Sequence, residues 1–484
     1  MPMKLAVGAA RFYMRDIRTR LPFRFGAETV NGFPLLHVAV EIACDGAVAA
    51  GYAGDNLVPK WFDKDPSKSA ERNVNDLLLS AEIAAEVYRA AGETPSLFAL
   101  WREAYPECQR RAAAVGLNKL TGAFGSALFE RAAIDALGRH HRLSLRELLR
   151  SDAIGLRPQE IHAGTTPEHV AAWLAATPAQ GIALRHTVGM LDPLSDNDLR
   201  DGPADDGLPR TLTDYVRRQG LRYFKLKLGG DVIEDLLRLE SIASVLDPLI
   251  ADPYHASLDG NEQYKSVSSL EKLWAYIGKS PKLARLRAAL LFLEQPLARR
   301  LALDPRDAAG IAAFGRQLPV IIDESDDDPG SFPAALALGY AGVSTKNCKG
   351  VIKSFLNRTL VEARKGLGQQ VFMSAEDLTN LPIVPLQQDL ATVRLLGIAH
   401  VERNGHHYVR GLDHCSETER EQAMAHHGDL YERVEAGVAL AVHGGMLSVA
   451  SLETPGYGVA FAPDLAAMTP LETWKKRPAQ QTVR

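Results

Sequence analysis

The sequence predicts an α/β fold: a (β/α)8 barrel of the modified TIM type, with an α+β capping domain formed by the N-terminal segment and the C-terminal tail. Three observations predict it. Eight short apolar runs lie between 182 and 401, each followed by a polar loop and an amphipathic helical pattern. The first 150 residues have a different texture, with β-rich runs first and helical patterns after them. Several of the eight runs end in charged residues, where a parallel barrel gathers its chemistry. The expected boundaries are 1–150 for the cap, 151–415 for the barrel and 416–484 for a segment returning to the cap.

In the cap, the β-rich runs 5–15 and 35–43 flank a turn-like segment at 22–32, and the second run ends at Asp45-Gly46, a hairpin signal. A Gly/Pro/Asp/Lys-rich stretch at 51–69 precedes helical patterns at 75–91 and 123–140; the second carries Leu128, Ala132, Ile134 and Leu137 at helical spacing. The barrel runs are 182–188, 223–228, 256–258, 289–293, 319–322, 342–345, 370–373 and 397–401. A doubly wound open sheet would need fewer strands and a Gly-rich phosphate turn after the first, and Gly229-Gly230 reads instead as a tight loop after the second. Beyond the barrel, 416–434 reads as a polar helix opened by a capping box of Ser416 and Glu419, and the tail 444–484 folds back toward the cap.

With 46% hydrophobic and 24% charged residues the chain has an ordinary soluble globular composition. A net charge of -4 leaves no cationic excess for a phosphate backbone, so nucleic acid is not an expected partner. Arg11, Arg15, Arg18 and Arg20 are not followed by the apolar core of a secretory signal, and no run approaches the ~18 apolar residues of a membrane helix. Cys44, Cys108, Cys348 and Cys415 are scattered without C-x-x-C spacing, which argues against a zinc site or a disulfide framework. A cytoplasmic protein is the expectation.

Strand two ends in Lys225-Leu226-Lys227, whose alternation turns both lysines to the barrel interior. Mutual repulsion there lowers a lysine's pKa toward that of a general base, although alone the tripeptide reads as an exposed surface strand. Strands three, four and five end in Asp259-Gly260-Asn261, Glu294-Gln295-Pro296 and Asp323-Glu324-Ser325. Any one of these acids reads as a helix N-cap, but Asp259, Glu294 and Asp323 on successive strand ends would repel one another unless a cation sat among them. Oxygen ligands without His or Cys favour Mg²⁺, with Mn²⁺ possible. Strand six ends in Lys346, on the opposite side of the barrel from Lys227, so the two face each other across a bound ligand. Lys349 reads as a solvated loop residue or an anion contact, and Cys348 as a small buried residue.

This ordered set, Lys225-Leu226-Lys227, Asp259-Gly260-Asn261, Glu294-Gln295-Pro296, Asp323-Glu324-Ser325 and Lys346, resembles the enolase superfamily, in its muconate-lactonizing (muconate cycloisomerase / mandelate racemase-like) group. The similarity covers about 180–405, and more loosely 130–149, which looks like the helix joining cap to barrel. The resemblance implies a Mg²⁺-dependent lyase or isomerase acting on a small carboxylate. Asp259, Glu294 and Asp323 would hold the metal, and abstraction of the α-proton would give a metal-stabilised enolate. Cycloisomerisation, racemisation/epimerisation or elimination would follow. Lys227 and Lys346 would be the acid/base pair, Lys225 would tune Lys227 and contact the carboxylate, and Asn261 would support the metal shell. A homo-oligomer is also implied.

Strand seven runs Phe372-Met373-Ser374-Ala375-Glu376-Asp377, without the His of the mandelate racemase subgroup. Strand eight runs Ala399-His400-Val401-Glu402-Arg403, without the Asp-x-Asp of lysine-type dipeptide epimerases. His400 is the histidine best placed to line the pocket, whereas His406, His407, His414, His426 and His427 read as solvated. Phe23, Phe25 and Trp61 of the cap could close over a substrate. Two other classes stand beside the favoured one: a Schiff-base lysine aldolase with Lys346 as nucleophile, and a non-catalytic carboxylate-binding relative.

Overall fold

In the computed structural model, residues 4–25, 28–199, 206–435 and 437–477 are described, without the side chains of 22–25 and 28–30. The chain opens with an antiparallel sheet of β1 (Leu5–Phe25), β2 (Glu28–Cys44) and β3 (Ala47–Asn56). The Asp45-Gly46 turn forms as expected, with φ of 50° and 86°, the left-handed pair that a two-residue hairpin requires. The segment read as a turn at 22–32 instead extends the ladder, with Phe23 opposite Val30 and Phe25 opposite Glu28. A register shift between Arg18 and Phe23 spans Pro22, which has no N–H to donate; the proline marks a bulge, not the end of the strand.

The glycine-rich stretch at 51–69 is likewise not all loop, because its first six residues finish β3. Gly51 is there to let a helix approach. A Cβ at this position would collide with the Ala132 carbonyl oxygen and the Ala136 nitrogen of α3 (Lys119–His141). Gly51→Ala is therefore expected to destabilise the protein by about 1–3 kcal/mol through overpacking, read as a lower urea midpoint with an unchanged slope. Two further helices complete the cap, α1 (Ala70–Ala90) and α2 (Leu97–Ala114). The sequence reading missed α2, whose pattern is interrupted by an internal Pro106 and a charged segment.

Eight parallel strands then close on themselves: β4 (Gly181–Val188), β5 (Tyr223–Lys227), β6 (His255–Asp259), β7 (Leu290–Glu294), β8 (Val320–Ile322), β9 (Gly342–Thr345), β10 (Phe372–Ala375) and β11 (His400–Arg403). Neighbours pair in sequence order, and β11 returns to β4 from His400 opposite Ala183 to Arg403 opposite His186. This is the expected (β/α)8 barrel. A short strand, Met446–Ser448, lies antiparallel against the start of β4, outside the parallel ring.

The segment 416–434 is not one helix. The capping box of Ser416 and Glu419 opens a helix that spans only Glu417–His426, and Tyr431–Val434 pairs with Gly437–Leu440 as a hairpin. Gly428 between them ends the helical run. Thr469–Pro470 pairs with β1 at Met14 and Tyr13, and the Trp474 indole N–H donates to Asp16 at 2.8 Å, so the tail packs on the cap sheet. No helix among the described residues is long and apolar enough to cross a membrane.

Cap and barrel meet through a buried carboxylate. Glu130 of α3 accepts from the Ile352 backbone N–H at 2.9 Å, at the first turn of the helix Val351–Gly366, and from the Trp101 indole N–H at 2.9 Å. Burial outweighs these hydrogen bonds and pushes the Glu130 pKa up to about 7. A raised carboxyl pKa means the folded state holds its proton more tightly than the unfolded chain. The stability this provides is complete below about pH 4.5 and is lost as pH rises toward 7. Between pH 4.5 and 8, wild type should lose roughly 3 kcal/mol relative to Glu130→Gln, which keeps the acceptor but not the titration. Urea midpoints at both pH values measure the difference, and parallel profiles would refute it.

Candidate active site

Because all eight strands run the same way, their C-terminal ends share one face, and the register brings the charged residues to one level there. Lys227 stands opposite Asp259, and Asp259 opposite Glu294. On β5, Lys225 and Lys227 alternate with Leu226 as the period of a strand requires; Lys225 is fully buried, while the Lys227 side chain keeps 23% exposure.

The Lys225 ammonium lies among four carboxylates: Glu294 Oε2 at 2.7 Å, Glu376 Oε2 at 2.7 Å, Glu402 Oε2 at 2.9 Å and Asp259 Oδ2 at 3.0 Å. Burial works against its charge, but these neighbours outweigh burial and hold its pKa well above the usual lysine range. The expectation that lysine–lysine repulsion dominates here is thus corrected, since each lysine of the pair has carboxylate partners. Lys227 Nζ reaches Asp259 Oδ2 at 2.6 Å. The Asn261 backbone N–H donates to Asp259 Oδ1 at 2.8 Å, with Asn261 in the left-handed region at φ 42°, and its side-chain amide lies 3.4 Å from Glu324 Oε1.

Across the barrel, Lys346 follows β9, four strands round from β5 in a ring of eight. Its ammonium lies 2.7 Å from Asp323 Oδ2 and 4.6 Å from the centroid of the Trp61 ring. Burial and the repulsion of Lys225 work against its charge, but Asp323, Glu294 and Glu402 together push its pKa up. Lys349 is not solvated as expected. It is buried against Asp323 Oδ1 at 3.1 Å and the Ser344 carbonyl at 2.9 Å, while Cys348 is the small buried residue anticipated. Burial raises the Asp323 pKa, but Lys346, Lys349 and Lys225 together hold it well below the carboxylate range.

Glu294 differs from its neighbours. Neither of its buried oxygens has an aligned hydrogen-bond donor among the described residues, although Oε2 lies close to Lys225. Burial, with Asp259 and Glu376 beside it, pushes its pKa well up. Next to it, the Gln295 side chain accepts from the Asp323 N–H at 2.8 Å and the Ser325 N–H at 3.2 Å, and donates to the Leu297 carbonyl at 2.8 Å. The end of β7 thereby carries the end of β8.

These residues suit a hard divalent cation. Asp259, Glu294 and Asp323 offer oxygen donors, Glu294 has unsatisfied lone pairs, and an ammonium already stands in as a cation between Asp259 and Glu294. Glu376 and Glu402 would keep Lys225 charged if such an ion took over its other two partners.

Sequence reasoning left out Glu376, Glu402 and Arg185. Thr187 Oγ1 donates to Glu402 Oε1 at 2.7 Å; Arg185 pairs with Glu376 and reaches Ser257 Oγ at 3.1 Å. The signal was present as acidic residues closing strands seven and eight, which were read only as departures from other subgroups. Lys64, from the loop after β3, also reaches the rim, 2.6 Å from Glu262 Oε2 and 3.3 Å from Glu324 Oε1.

His400 is not at the site. It begins β11, and its ring stacks on Tyr223, the first residue of β5, at 5.1 Å, so it occupies the opposite end of the barrel. The apolar run 397–401 predicts a strand that ends near His400, whereas the strand begins there and runs to Arg403. The other histidines are mostly not solvated. His407 Nδ1 lies 2.6 Å from the Tyr215 hydroxyl, His406 Nε2 lies 3.4 Å from His186 Nδ1, and His414 Nε2 lies 2.6 Å from the Pro382 carbonyl oxygen. Trp61 is 2% exposed and covers Lys346, whereas the side chains of Phe23 and Phe25 lie outside the described residues.

Fold and rim together define a capped parallel barrel with its acids and lysines on one face, and solved structures share that architecture. The 2-chloromuconate cycloisomerase from Rhodococcus opacus superposes with a TM-score of 0.59 at 16% identity, over 94% of this chain and 97% of its own. An enolase from Bradyrhizobium, complexed with magnesium and mandelic acid, gives 0.56 at 16% identity over 96% and 98%. A mandelate racemase/muconate lactonizing enzyme from Bordetella bronchiseptica gives 0.55 at 18% identity over 96% and 98%. The chain therefore has the fold of the enolase superfamily. No protein-family model matches the sequence, and no curated protein matches it.

Proposed function

We propose that this chain is an enolase-superfamily isomerase or lyase that removes the proton α to the carboxylate of a small acid, in the presence of Mg²⁺. The observation that carries the reading is the placement of two lysines against carboxylates on opposite sides of the barrel, Lys227 with Asp259 and Lys346 with Asp323, around an under-satisfied Glu294. Asp259, Glu294 and Asp323 would hold the cation, which when bound supplies positive charge to the carboxylate as negative charge develops on it. Lys227 and Lys346 approach the α-carbon from opposite sides, so one takes the proton and the other can return one to the far face. Lys225, kept charged by Glu376 and Glu402, orients the carboxylate and balances the rim. Asn261 fixes Asp259 through its backbone N–H.

A Schiff-base role for Lys346 requires a free amine, and its Asp323 partner favours the ammonium. Deuterium exchange in D₂O across hydroxy acids, sugar acids, N-acyl amino acids and lactones tests the proposal. Exchange that needs Mg²⁺ and is lost on chelation is the expected result. Borohydride trapping of a substrate on Lys346 would replace it with the aldolase class.

A further inference from the structure

We propose that Cys44, His140 and His141 form a transition-metal site on the outer face of the cap, taking a zinc-like divalent ion with a fourth position left to water. One ligand atom from each of the three lies within 4.8 Å of those of the other two. It is the only such group among the described residues. The three come from two parts of the chain: Cys44 is the last residue of β2, and His140 and His141 end α3. Cysteine spacing alone could not reveal the site, since its partners are histidines brought in by the fold.

The geometry suits the ion. With Zn–S near 2.3 Å and Zn–N near 2.0–2.1 Å, two ligands at a tetrahedral angle stand about 3.6 Å apart. Cys44 Sγ lies 3.7 Å from His141 Nε2. A thiol–imidazole hydrogen bond would also give that distance; what singles the site out is that His140, its ring edge to face with His141 at 4.7 Å, offers a third ligand atom within 4.8 Å of the other two.

The electrostatics point the same way. The site lies at the C-terminal end of a 23-residue helix, where the unpaired carbonyls favour a cation. Asp45 adds a carboxylate next to Cys44, its Oδ1 held by the Lys4 backbone N–H at 2.9 Å. Both elements are rigid: Cys44 is 1% exposed and pairs with Ala47 across the hairpin, while His141 is exposed and gives an ion a way in. Cysteine and histidine select zinc or cobalt, whereas the oxygen donors on the barrel rim select magnesium, so the two sites need not compete.

Titration of the full chain with Co²⁺, with Mg²⁺ saturating, provides the test. A thiolate-to-cobalt charge-transfer band should grow to one equivalent and be displaced by Zn²⁺. It should vanish in Cys44→Ser, and its half-saturation should rise at least tenfold in His141→Gln, a substitution at an exposed position that leaves the fold intact. Zn²⁺ should also slow alkylation of Cys44 in wild type. Absence of the band in wild type, or its persistence in Cys44→Ser, overturns the proposal.

Discussion

Lys346→Ala and Lys227→Ala are each expected to slow α-proton exchange of one substrate enantiomer by ~10²–10⁴-fold, the usual contribution of a positioned general acid or base. The two variants should also differ from each other. The lysines stand four strands apart in a ring of eight, so under the proposed mechanism each would serve one face of the bound carbon. With a chiral substrate, Lys227→Ala should retain exchange of the enantiomer that Lys346→Ala loses, and the reverse. Kinetics run separately on each enantiomer read this directly. Equal residual rates on both would remove the two-base geometry, and wild-type rates in both variants would remove the lysines from the chemistry.

Lys225→Met should have the largest effect on stability. Asp259, Glu294, Glu376 and Glu402 all lose a cation at once in a region with almost no solvent access. Breaking a buried pair by removing one partner costs about 3–5 kcal/mol, because the remaining charge is left uncompensated. The loss should be smaller in millimolar Mg²⁺, which can sit among the same carboxylates, and smaller at low pH, where they protonate. Urea unfolding with Mg²⁺ or with chelator, for wild type and variant, is the measurement. A variant as stable as wild type and indifferent to Mg²⁺ would show that Lys225 is not the counter-ion of this cluster. In wild type, a metal bound as proposed would have to displace an ammonium already in place, so Lys225 would also set the affinity.

The barrel was legible in the sequence because a parallel strand buried on both sides leaves an unbroken apolar run, and the charged residue after each run marks where the strand reaches the rim. That is why the sequence alone brings Lys227, Asp259, Glu294, Asp323 and Lys346 together. The misses have equally specific causes. His400 was put at the wrong end of β11 because 397–399 continue the apolar pattern without being strand. Lys349 looked like a loop residue because nothing local shows that Ser344 and Asp323 close around it. Glu376 and Glu402 act through Lys225, a contact across the barrel that sequence spacing does not encode. In the cap, β1 continued through Pro22 because the bulge absorbs the missing donor, while α2 was hidden by its internal proline.

The amide of Gln295 has one more consequence. Its carbonyl holds the backbone of Asp323 and Ser325, so the strand ends that carry Glu294 and Asp323 are tied directly to each other. A ligand that engages both finds their relative position already fixed, and the conformational entropy of ordering them was lost when the barrel folded, not when the ligand arrives.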